Sequence, residues 1–354
     1  MKEGGGGKPL RIASLTRERL SEWMVEDLGL RSFRADQLFS WMHGRRVRNF
    51  GEMTDLAKGL RAELESRSIL VNSLRPTESQ YSSDGTTKYV LGLPDGTVVE
   101  SVLIPDPPRL TACLSSQVGC RMGCRFCQTG LTGFVRDLLA DEIVSQLYSM
   151  QELSGRRITN VVLMGMGEPL DNIEATLSAL SIINDDRGIC IGCRKITVST
   201  VGVVPGIYRL AESGSQYGLA LSLHSAVESV RRSLVPASGR WPLPEVRQAL
   251  SDYASVTGRR VTLEYCILKG VNDGVDQAQA LAEFASGIPC KINLLAYNPV
   301  QGLDYRTPSD SGVARFAQYL YPRCPAVTVR RSRGTEVSAA CGQLGTSLSG
   351  GGGS

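Results

Sequence analysis

The second part of the chain repeats one pattern, a short apolar run followed by a stretch with helical periodicity. Six such runs follow one another from Thr111 onward: TACLSS, TNVVLMGM, KITVST, YGLALSLH, RRVTLEYCIL and CKINLLAYN. Strands that alternate with helices are typical of a parallel sheet with helices on its outside. We therefore predict an α/β fold that is a barrel or part of one.

Polar residues follow several of these apolar runs closely. Glu168, His224 and Asn298 each come at or just after the end of one. Reactive residues of such folds lie at the carboxyl ends of the strands, so we expect these three at one shared mouth. Taken singly, a surface carboxylate and a satisfied core histidine are the simpler interpretations of Glu168 and His224.

The first part of the chain has helical periodicity only. Residues 14–70 contain the segments LTRERLSEWMVEDLGL, RADQLFSWMHGR and EMTDLAKGLRAELESR, which predict about three short helices. Ser32 and Thr54 precede two of them and are candidate N-caps. From Gln80 to Pro105 the period changes to two around a PDG turn, which predicts a β-hairpin.

These changes of pattern divide the chain. A helical accessory domain is predicted for residues 10–75 and a connecting β-hairpin for residues 76–110. The barrel, with a carboxy-terminal cysteine segment, is predicted for residues 111–344. Residues 1–9 and 345–354 are predicted to be flexible Gly/Ser tails. The chain has 354 residues, of which 42% are hydrophobic, and this is enough to form a large hydrophobic core. Apolar runs are shorter than the ~20 residues of a membrane helix, and no secretory leader is visible. We expect a cytoplasmic protein without membrane contact.

Three cysteines lie close together in CRMGCRFCQTG, where Cys120, Cys124 and Cys127 have C-x3-C-x2-C spacing. The chain has ten cysteines but two histidines, so a metal site must rely on sulfur. Structural zinc prefers four protein ligands, and no fourth stands nearby. A 4Fe-4S cluster is normally held by four thiolates, so three would leave one iron open to a small ligand. The spacing favours a cluster over zinc.

The other cysteines carry weaker signals. Cys190 and Cys193 form one C-x2-C pair with no partner pair, which indicates loop or partly buried thiols. Three more lie on or beside apolar runs and are predicted to pack in the core: Cys266, Cys290 and Cys324. By sequence alone Cys113 and Cys341 are structural thiols as well.

Seven motifs in a fixed order change that interpretation. They are CLSSQVGCRMGCRFCQTG, LMGMGEPLDN, ITVSTVGVVP, LALSLHS, LKGVND, AYNPV and SAACGQL. Together they resemble the RlmN family of radical S-adenosylmethionine RNA adenine-C2 methyltransferases, and the resemblance runs from FRADQLFSW to Leu344. It implies a partial (β/α)6 radical SAM barrel. The related Cfr group methylates adenine at C8, and GMGEPL and LKGVND look more like RlmN.

The resemblance implies two cofactors, a 4Fe-4S cluster and S-adenosylmethionine. Cys120, Cys124 and Cys127 would hold the cluster, whose open iron chelates the amino and carboxylate groups of S-adenosylmethionine. The residues implied to contact S-adenosylmethionine are Gly167, Glu168, Ser199, Ser222, Leu223, His224 and Asn298.

Three further residues receive catalytic roles from the resemblance alone. Cys341 would carry the methyl group as a thioether, from which a deoxyadenosyl radical abstracts hydrogen before the carbon adds to adenine. Glu100 would accept the ring proton, and Cys113 would release the product through a transient disulfide with Cys341. An outward-facing strand carboxylate is the simpler interpretation of Glu100.

The implied RNA substrates are 23S ribosomal RNA and, in many family members, adenosine 37 of transfer RNA. The implied protein partner is an electron donor such as flavodoxin or ferredoxin. We expect the protein itself to be a monomer. The target base must be unpaired or flipped out, because a base inside a helix cannot reach a barrel. Basic residues that could neutralise phosphates, or simply form a solvated face, are Arg45, Arg46, Arg48, Lys58 and Arg61.

Two other functions fit parts of the sequence. One is a Cfr-like methyltransferase that acts at adenine C8. The other is a non-catalytic iron–sulfur protein that binds RNA or transfers electrons. The presence of both Cys113 and Cys341 argues against this second alternative.

Overall fold

The computed structural model describes residues 9–345. The predicted Gly/Ser tails lie outside the described residues except for their inner ends, Pro9 and Gly345. Fourteen strands are present in this part of the chain: β1 (Leu10–Arg11), β2 (Ser68–Ile69), β3 (Arg75–Tyr81), β4 (Thr87–Gly92), β5 (Val98–Asp106), β6 (Arg109–Cys113), β7 (Gln117–Gly119), β8 (Phe134–Asp137), β9 (Asn160–Leu163), β10 (Ile196–Thr200), β11 (Gly218–Ser222), β12 (Val261–Ile267), β13 (Cys290–Ala296) and β14 (Val327–Arg330).

Eleven α-helices accompany these strands within residues 9–345. They are α1 (Arg17–Glu26), α2 (Phe33–Phe39), α3 (Lys58–Arg67), α4 (Gln128–Thr132), α5 (Ala140–Ser154), α6 (Ile173–Asn184), α7 (Val204–Glu212), α8 (Glu228–Leu234), α9 (Leu243–Thr257), α10 (Val275–Ala285) and α11 (Asp310–Leu320). None of these described helices is long and apolar enough to span a bilayer.

A ten-stranded sheet forms the centre of the molecule, in the order β14-β13-β12-β11-β10-β9-β6-β5-β4-β3. Neighbouring strands from β6 to β14 in this order are parallel. Strands β3 to β6 are antiparallel. The predicted α/β barrel fold is confirmed, because helices connect the parallel strands and pack against one another outside them.

The sheet is wider than the sequence predicts at both edges. A seventh parallel strand, β14, follows the six predicted runs, and β3 adds a third strand to the predicted hairpin. Both edge strands are largely exposed, and neither contains the continuous apolar run of the inner strands, since β3 is mostly polar and β14 has only four residues. The hairpin and barrel share one sheet, since Val102 of β5 pairs with Cys113 of β6. The domain boundaries given above stay a prediction.

The N-terminal helices pack on a small apolar core that includes Leu20, Met24 and Leu38, all fully buried. Ser32 is at the N-cap position of α2 as predicted, although its side chain makes no capping hydrogen bond. The prediction for Thr54 is wrong, because α3 begins four residues later with Ala57 at its N-cap position. On α1 the N-cap residue is Thr16, whose Oγ1 accepts a hydrogen bond from Arg19 N at 3.3 Å.

Candidate active site

A cavity of about 1070 Å³, counted with its open mouth, lies at the carboxyl ends of the parallel strands. Ten of the predicted site residues line it: Cys120, Cys124, Cys127, Gly167, Glu168, Ser199, Ser222, His224, Asn298 and Cys341. Three others do not line it, namely Glu100, Cys113 and Leu223. The strand-end prediction for Glu168, His224 and Asn298 is therefore confirmed.

The three clustered cysteines belong to a tight loop between β7 and α4. Cys120 N donates to Gly133 O at 2.8 Å, and a Cβ on Gly119 (φ +77°) would stand 1.9 Å from that oxygen. Only glycine fits there. The loop thus holds its thiols at the cavity wall.

These thiols lie in surroundings that disfavour bare thiolates. Burial raises the pKa of Cys120 to about 12 and the pKa of Cys124 well above its usual value, and neighbouring thiolates raise both further. Burial also raises the pKa of Cys127. Within residues 9–345, no group of three or more His, Cys, Asp or Glu side chains is close enough together to hold a metal ion. A cluster spreads its thiolates over separate irons and supplies positive charge, so this donor set fits a cluster.

Gly167 and Glu168 form a constrained turn at the cavity. Gly167 has φ +99°, and a Cβ there would lie 2.5 Å from Gln117 Cβ. The buried Glu168 carboxylate accepts hydrogen bonds from Val201 N at 2.8 Å and Leu170 N at 3.1 Å. Burial raises the pKa of Glu168 to about 7, although the bond from Val201 N opposes this shift. The carboxylate is fixed by backbone amides while the turn faces the cavity.

His224 is held as a neutral ring. Burial lowers the pKa of His224 to about 3, and the Arg231 charge lowers it further. Its Nδ1 accepts from Cys266 N at 3.2 Å, so the proton is on Nε2. The Phe126 ring packs edge-on at 4.8 Å. His224 adopts φ +58°, an unfavourable backbone conformation that is typical of functional positions.

Two serines and a leucine complete the predicted pocket. Ser199 Oγ and Ser222 Oγ lie 3.2 Å apart on β10 and β11, within hydrogen-bond distance. Leu223 is fully buried, and its backbone N donates to Glu264 O at 3.0 Å. Leu223 thus contributes to the wall through packing rather than by lining the cavity.

The carboxy-terminal segment, defined as residues 339–345, is docked on the cysteine loop. Gln128 N donates to Gly342 O at 2.7 Å, and Thr129 Oγ1 donates to Leu344 O at 2.6 Å. Asn298 Nδ2 donates to Cys341 O at 3.2 Å. These bonds place Cys341 at the cavity.

Cys341 and Cys113 are close enough to influence each other. Cys341 is accessible through the cavity, but the walls surround its thiol, and this desolvation raises its pKa while Arg330 lowers it. Cys113 is buried at the end of β6. Burial raises the pKa of Cys113 to about 12, and negative charge on Cys341 adds to that shift.

Glu100 lies inside the protein, so its interpretation as an outward-facing carboxylate is wrong. Its Oε2 accepts a hydrogen bond from Gly345 N at 3.0 Å and lies 3.9 Å from Lys88 Nζ. Ser115 Oγ donates to Glu100 O at 2.6 Å, which connects β5 to the loop after β6. Glu100 thus joins the carboxy-terminal segment to the sheet behind the cavity.

Sequence reasoning missed several cavity residues. Glu264, Arg330 and Cys266 line the cavity. Cys266 packs against the core as predicted, but its position at the cavity was not expected. Cys290 and Cys324 are buried as predicted. Strand β12 is buried on both faces, so the sequence held no signal for which of its residues faces the cavity.

Comparisons with known proteins agree with this geometry. Residues 11–70 match the ribosomal RNA large subunit methyltransferase N-terminal domain, and residues 114–285 match the radical SAM superfamily. A probable dual-specificity RNA methyltransferase RlmN from Symbiobacterium thermophilum is 46% identical over 96% of this chain and 91% of its own length. The chain belongs to the RlmN family. The RlmN resemblance predicted from the motifs is thereby confirmed, together with its radical SAM enzyme class.

Other relatives support the same RlmN assignment. The dual-specificity RNA methyltransferase RlmN of Syntrophobacter fumaroxidans is 44% identical over 95% of this chain and 98% of its own length. The crystal structure of a radical SAM methyltransferase from Sphaerobacter thermophilus superposes with a TM-score of 0.87 at 42% identity, covering 95% of this chain and 99% of that chain. Radical SAM membership implies S-adenosylmethionine and a 4Fe-4S cluster.

The RlmN N-terminal match covers the helical unit with the predicted basic residues. Arg45 stacks on the Trp41 ring at 3.8 Å and pre-forms a planar cationic surface. Arg48 pairs with Glu152, and Arg61 donates to Gly51 O at 2.7 Å. Arg48 and Arg61 thus already have partners in the protein.

Proposed function

We propose that this RlmN-family chain methylates carbon 2 of adenine in RNA with Cys341 as the methyl carrier. The observation that carries the proposal is the surroundings of Cys341, which lines the cavity. A second thiol, Cys113, interacts with it electrostatically, and a carboxylate, Glu100, accepts a hydrogen bond from the same carboxy-terminal segment. A radical SAM enzyme that only cleaves its cofactor needs none of these three.

Cys120, Cys124 and Cys127 would hold the cluster, and the seven residues from Gly167 to Asn298 implied by the resemblance would hold S-adenosylmethionine. Once bound, the two cofactors supply a methyl group and a carbon-centred radical. His224 Nε2–H is the one donor of its ring that is left for a ligand, since Nδ1 is engaged by Cys266 N. Asn298 anchors Cys341 through its backbone.

Cys341 acts first as a nucleophile. Its thiolate accepts the methyl group, forming a carbon–sulfur bond as a thioether. Arg330 favours that thiolate because its charge lowers the pKa that desolvation raises. The methyl carbon is then delivered to the adenine ring while it remains attached to the Cys341 sulfur.

Release requires a base and a second thiol. Glu100 accepts the proton from the ring carbon, and the unpaired electron of the adduct would return to the cluster, which restores the aromatic ring. Cys113 then attacks the Cys341 sulfur, so that the carbon–sulfur bond breaks as a disulfide forms, and the electron pair of that bond passes to the methylene carbon, which takes up a proton to become the methyl group. An electron donor such as flavodoxin or ferredoxin returns both cysteines to thiols. Burial raises the pKa of Cys113, so its thiol stays protonated until it attacks the Cys341 sulfur.

The relatives are named dual-specificity RNA methyltransferases, which supports 23S ribosomal RNA and transfer RNA as the two substrates. An adenine reaches the cavity only when it is unpaired or flipped out. The Arg45–Trp41 stack on the N-terminal unit offers a flat surface for a nucleotide. We place this reaction in the cytoplasm of the cell and in a monomer.

The test is product analysis. Anaerobically reconstituted protein receives reductant, S-adenosylmethionine and unmodified ribosomal or transfer RNA, and the digested RNA is examined by mass spectrometry. Wild type and Cys290→Ala, a buried thiol away from the site, should form 2-methyladenosine, and Cys341→Ala should not. Dominant 8-methyladenosine would instead establish the Cfr-like reaction, and deoxyadenosine without either product would refute the proposed substrate.

A further inference from the structure

Arg231 is a fully buried arginine on α8, with a relative exposure of 0%. Its Nη2 donates to Val201 O. Its Nε and Nη1 have no hydrogen-bond partner within residues 9–345. A buried guanidinium with unsatisfied N–H groups is costly unless an anionic group compensates it. No group within residues 9–345 accepts a hydrogen bond from these two N–H donors, so Arg231 points to a further anionic acceptor.

Helix α8 lies directly against the cysteine loop. Arg125 N donates to Leu234 O at 2.9 Å. Ala237 N, just beyond the helix, donates to Met122 O at 3.4 Å. Both contacts follow Arg231 along the chain, three and six residues on, and on the loop side they bracket Cys124. The helix that carries Arg231 is thus packed against the cysteine loop, and Arg231 itself is not among the residues that line the cavity.

The charges nearby agree with this placement. Burial lowers the pKa of Arg231 to about 10, and Glu228 and the Cys124 thiolate oppose that shift. Conversely, Arg231 lowers the pKa of Cys124 against the effect of burial. With this pKa the guanidinium keeps its charge at neutral pH.

Glu228 acts on Arg231 through its charge but forms no ion pair with it among the described side chains. Its Oε2 accepts a hydrogen bond from Leu243 N at 3.0 Å, and its Oε1 is buried without a hydrogen-bond partner there. The Nε and Nη1 groups of Arg231 therefore remain available to a further anion on the Cys124 side.

We propose that Arg231 compensates the negative charge of the cysteine-bound iron–sulfur cluster and raises its reduction potential. Cluster potentials depend on net charge, hydrogen bonds and burial, and a fixed positive charge stabilises the reduced, more negative form. This inference rests on the proposed cluster ligation by the three cysteines. It does not depend on which adenine carbon is methylated.

The experiment compares reconstituted wild type, Arg231→Met and Arg231→Lys at matched iron and sulfide content. Their reduction potentials are measured by redox titration followed by electron paramagnetic resonance, without S-adenosylmethionine or RNA. Loss of one buried charge should lower the reduction equilibrium constant of Arg231→Met about tenfold, which is about 59 mV for one electron. Arg231→Lys keeps the charge and should stay close to wild type.

A second variant covers a failure of Arg231→Met to fold. Glu228→Gln removes the opposing charge and keeps an oxygen for Leu243 N, so its potential should shift in the positive direction. Unchanged potentials in every folded variant would overturn the inference. Cys124→Ala distinguishes the two proposals. Full iron content in that variant would count against the cluster ligation itself, whereas a lost cluster in Cys124→Ala with unchanged potentials in the Arg231 and Glu228 variants would count against the role of Arg231 alone.

Discussion

Lys88 Nζ lies 3.9 Å from Glu100 Oε2, and the two side chains are only 2% and 1% exposed. Lys88 pairs with Val102 and Glu100 with Val90, so the two charges are diagonal neighbours on one face of the β4–β5 pair. Opposite charges attract more strongly in a buried environment than in water. Lys88 is therefore placed to hold the carboxylate that we propose as the proton acceptor.

Lys88→Met should impair the proton-transfer step. Without the ammonium, the carboxylate that we propose as the proton acceptor loses a buried, oppositely charged neighbour that helps to position it, so we expect formation of 2-methyladenosine to fall about 100-fold, the usual size of such a contribution. Methylation of Cys341, read by protein mass spectrometry, should be unchanged. An exposed-lysine variant, Lys58→Met, is the control, and equal rates in all three proteins would contradict the role.

Cys113→Ala should trap RNA on the protein. Without the second thiol the carbon–sulfur bond to Cys341 cannot be exchanged for a disulfide, so the covalent adduct should accumulate. A denaturing gel would show protein that migrates with RNA until nuclease treatment. Cys290→Ala, which also removes a buried thiol, should release its product normally. Free RNA product from Cys113→Ala would argue against this release step.

Thr129→Val should loosen the carboxy-terminal segment. The substitution leaves the buried Leu344 carbonyl without its donor, which costs about 1–3 kcal/mol. Hydrogen exchange in residues 339–345 and alkylation of Cys341 should both become faster. Thr132→Val, which removes a hydroxyl bonded only to the nearby Thr129 O, is the matched control. If hydrogen exchange and alkylation in Thr129→Val were as slow as in wild type, the other contacts would be sufficient to hold the carboxy-terminal segment, which would contradict this prediction.

Acid should destabilise the protein through its histidines. Burial lowers the pKa of both His43 and His224 from 6.5 to about 3. Between these values the unfolded chain binds more protons than the folded chain, so stability is present above pH 6.5 and is lost as the pH falls. Replacing His43 with Gln should reduce the loss between pH 7 and pH 5 by roughly 2 kcal/mol. Thermal unfolding of wild type and variant across this range measures the difference, and parallel curves would disprove the assignment.

The parallel strands and the clustered thiols could be predicted from the sequence for clear physical reasons. Inner strands such as β12 are buried on both faces and read as continuous apolar runs. Three cysteines at close spacing have few alternatives to a shared metal group. The edge strands β3 and β14 could not be found this way, because exposure on one side removes the apolar signal.

The position of Glu100 was misread although the sequence held a usable sign. Lys88 interrupts one apolar run of the hairpin and Glu100 interrupts the next. Opposite charges in two neighbouring buried strands indicate a buried pair. The wall position of Cys266, in contrast, depends on how the sheet curves, which no local pattern records.

The contacts of the carboxy-terminal segment also order events during folding. Thr129 bonds to a residue 215 positions away, and Glu100 to one 245 positions away. Closing loops of that length is slow and entropically costly, so such contacts form after the more local pairings of the sheet. The same contacts should be among the earliest to open when the native protein fluctuates. Cys341, which we propose as the methyl carrier, therefore belongs to the part of the molecule that is assembled late and released early.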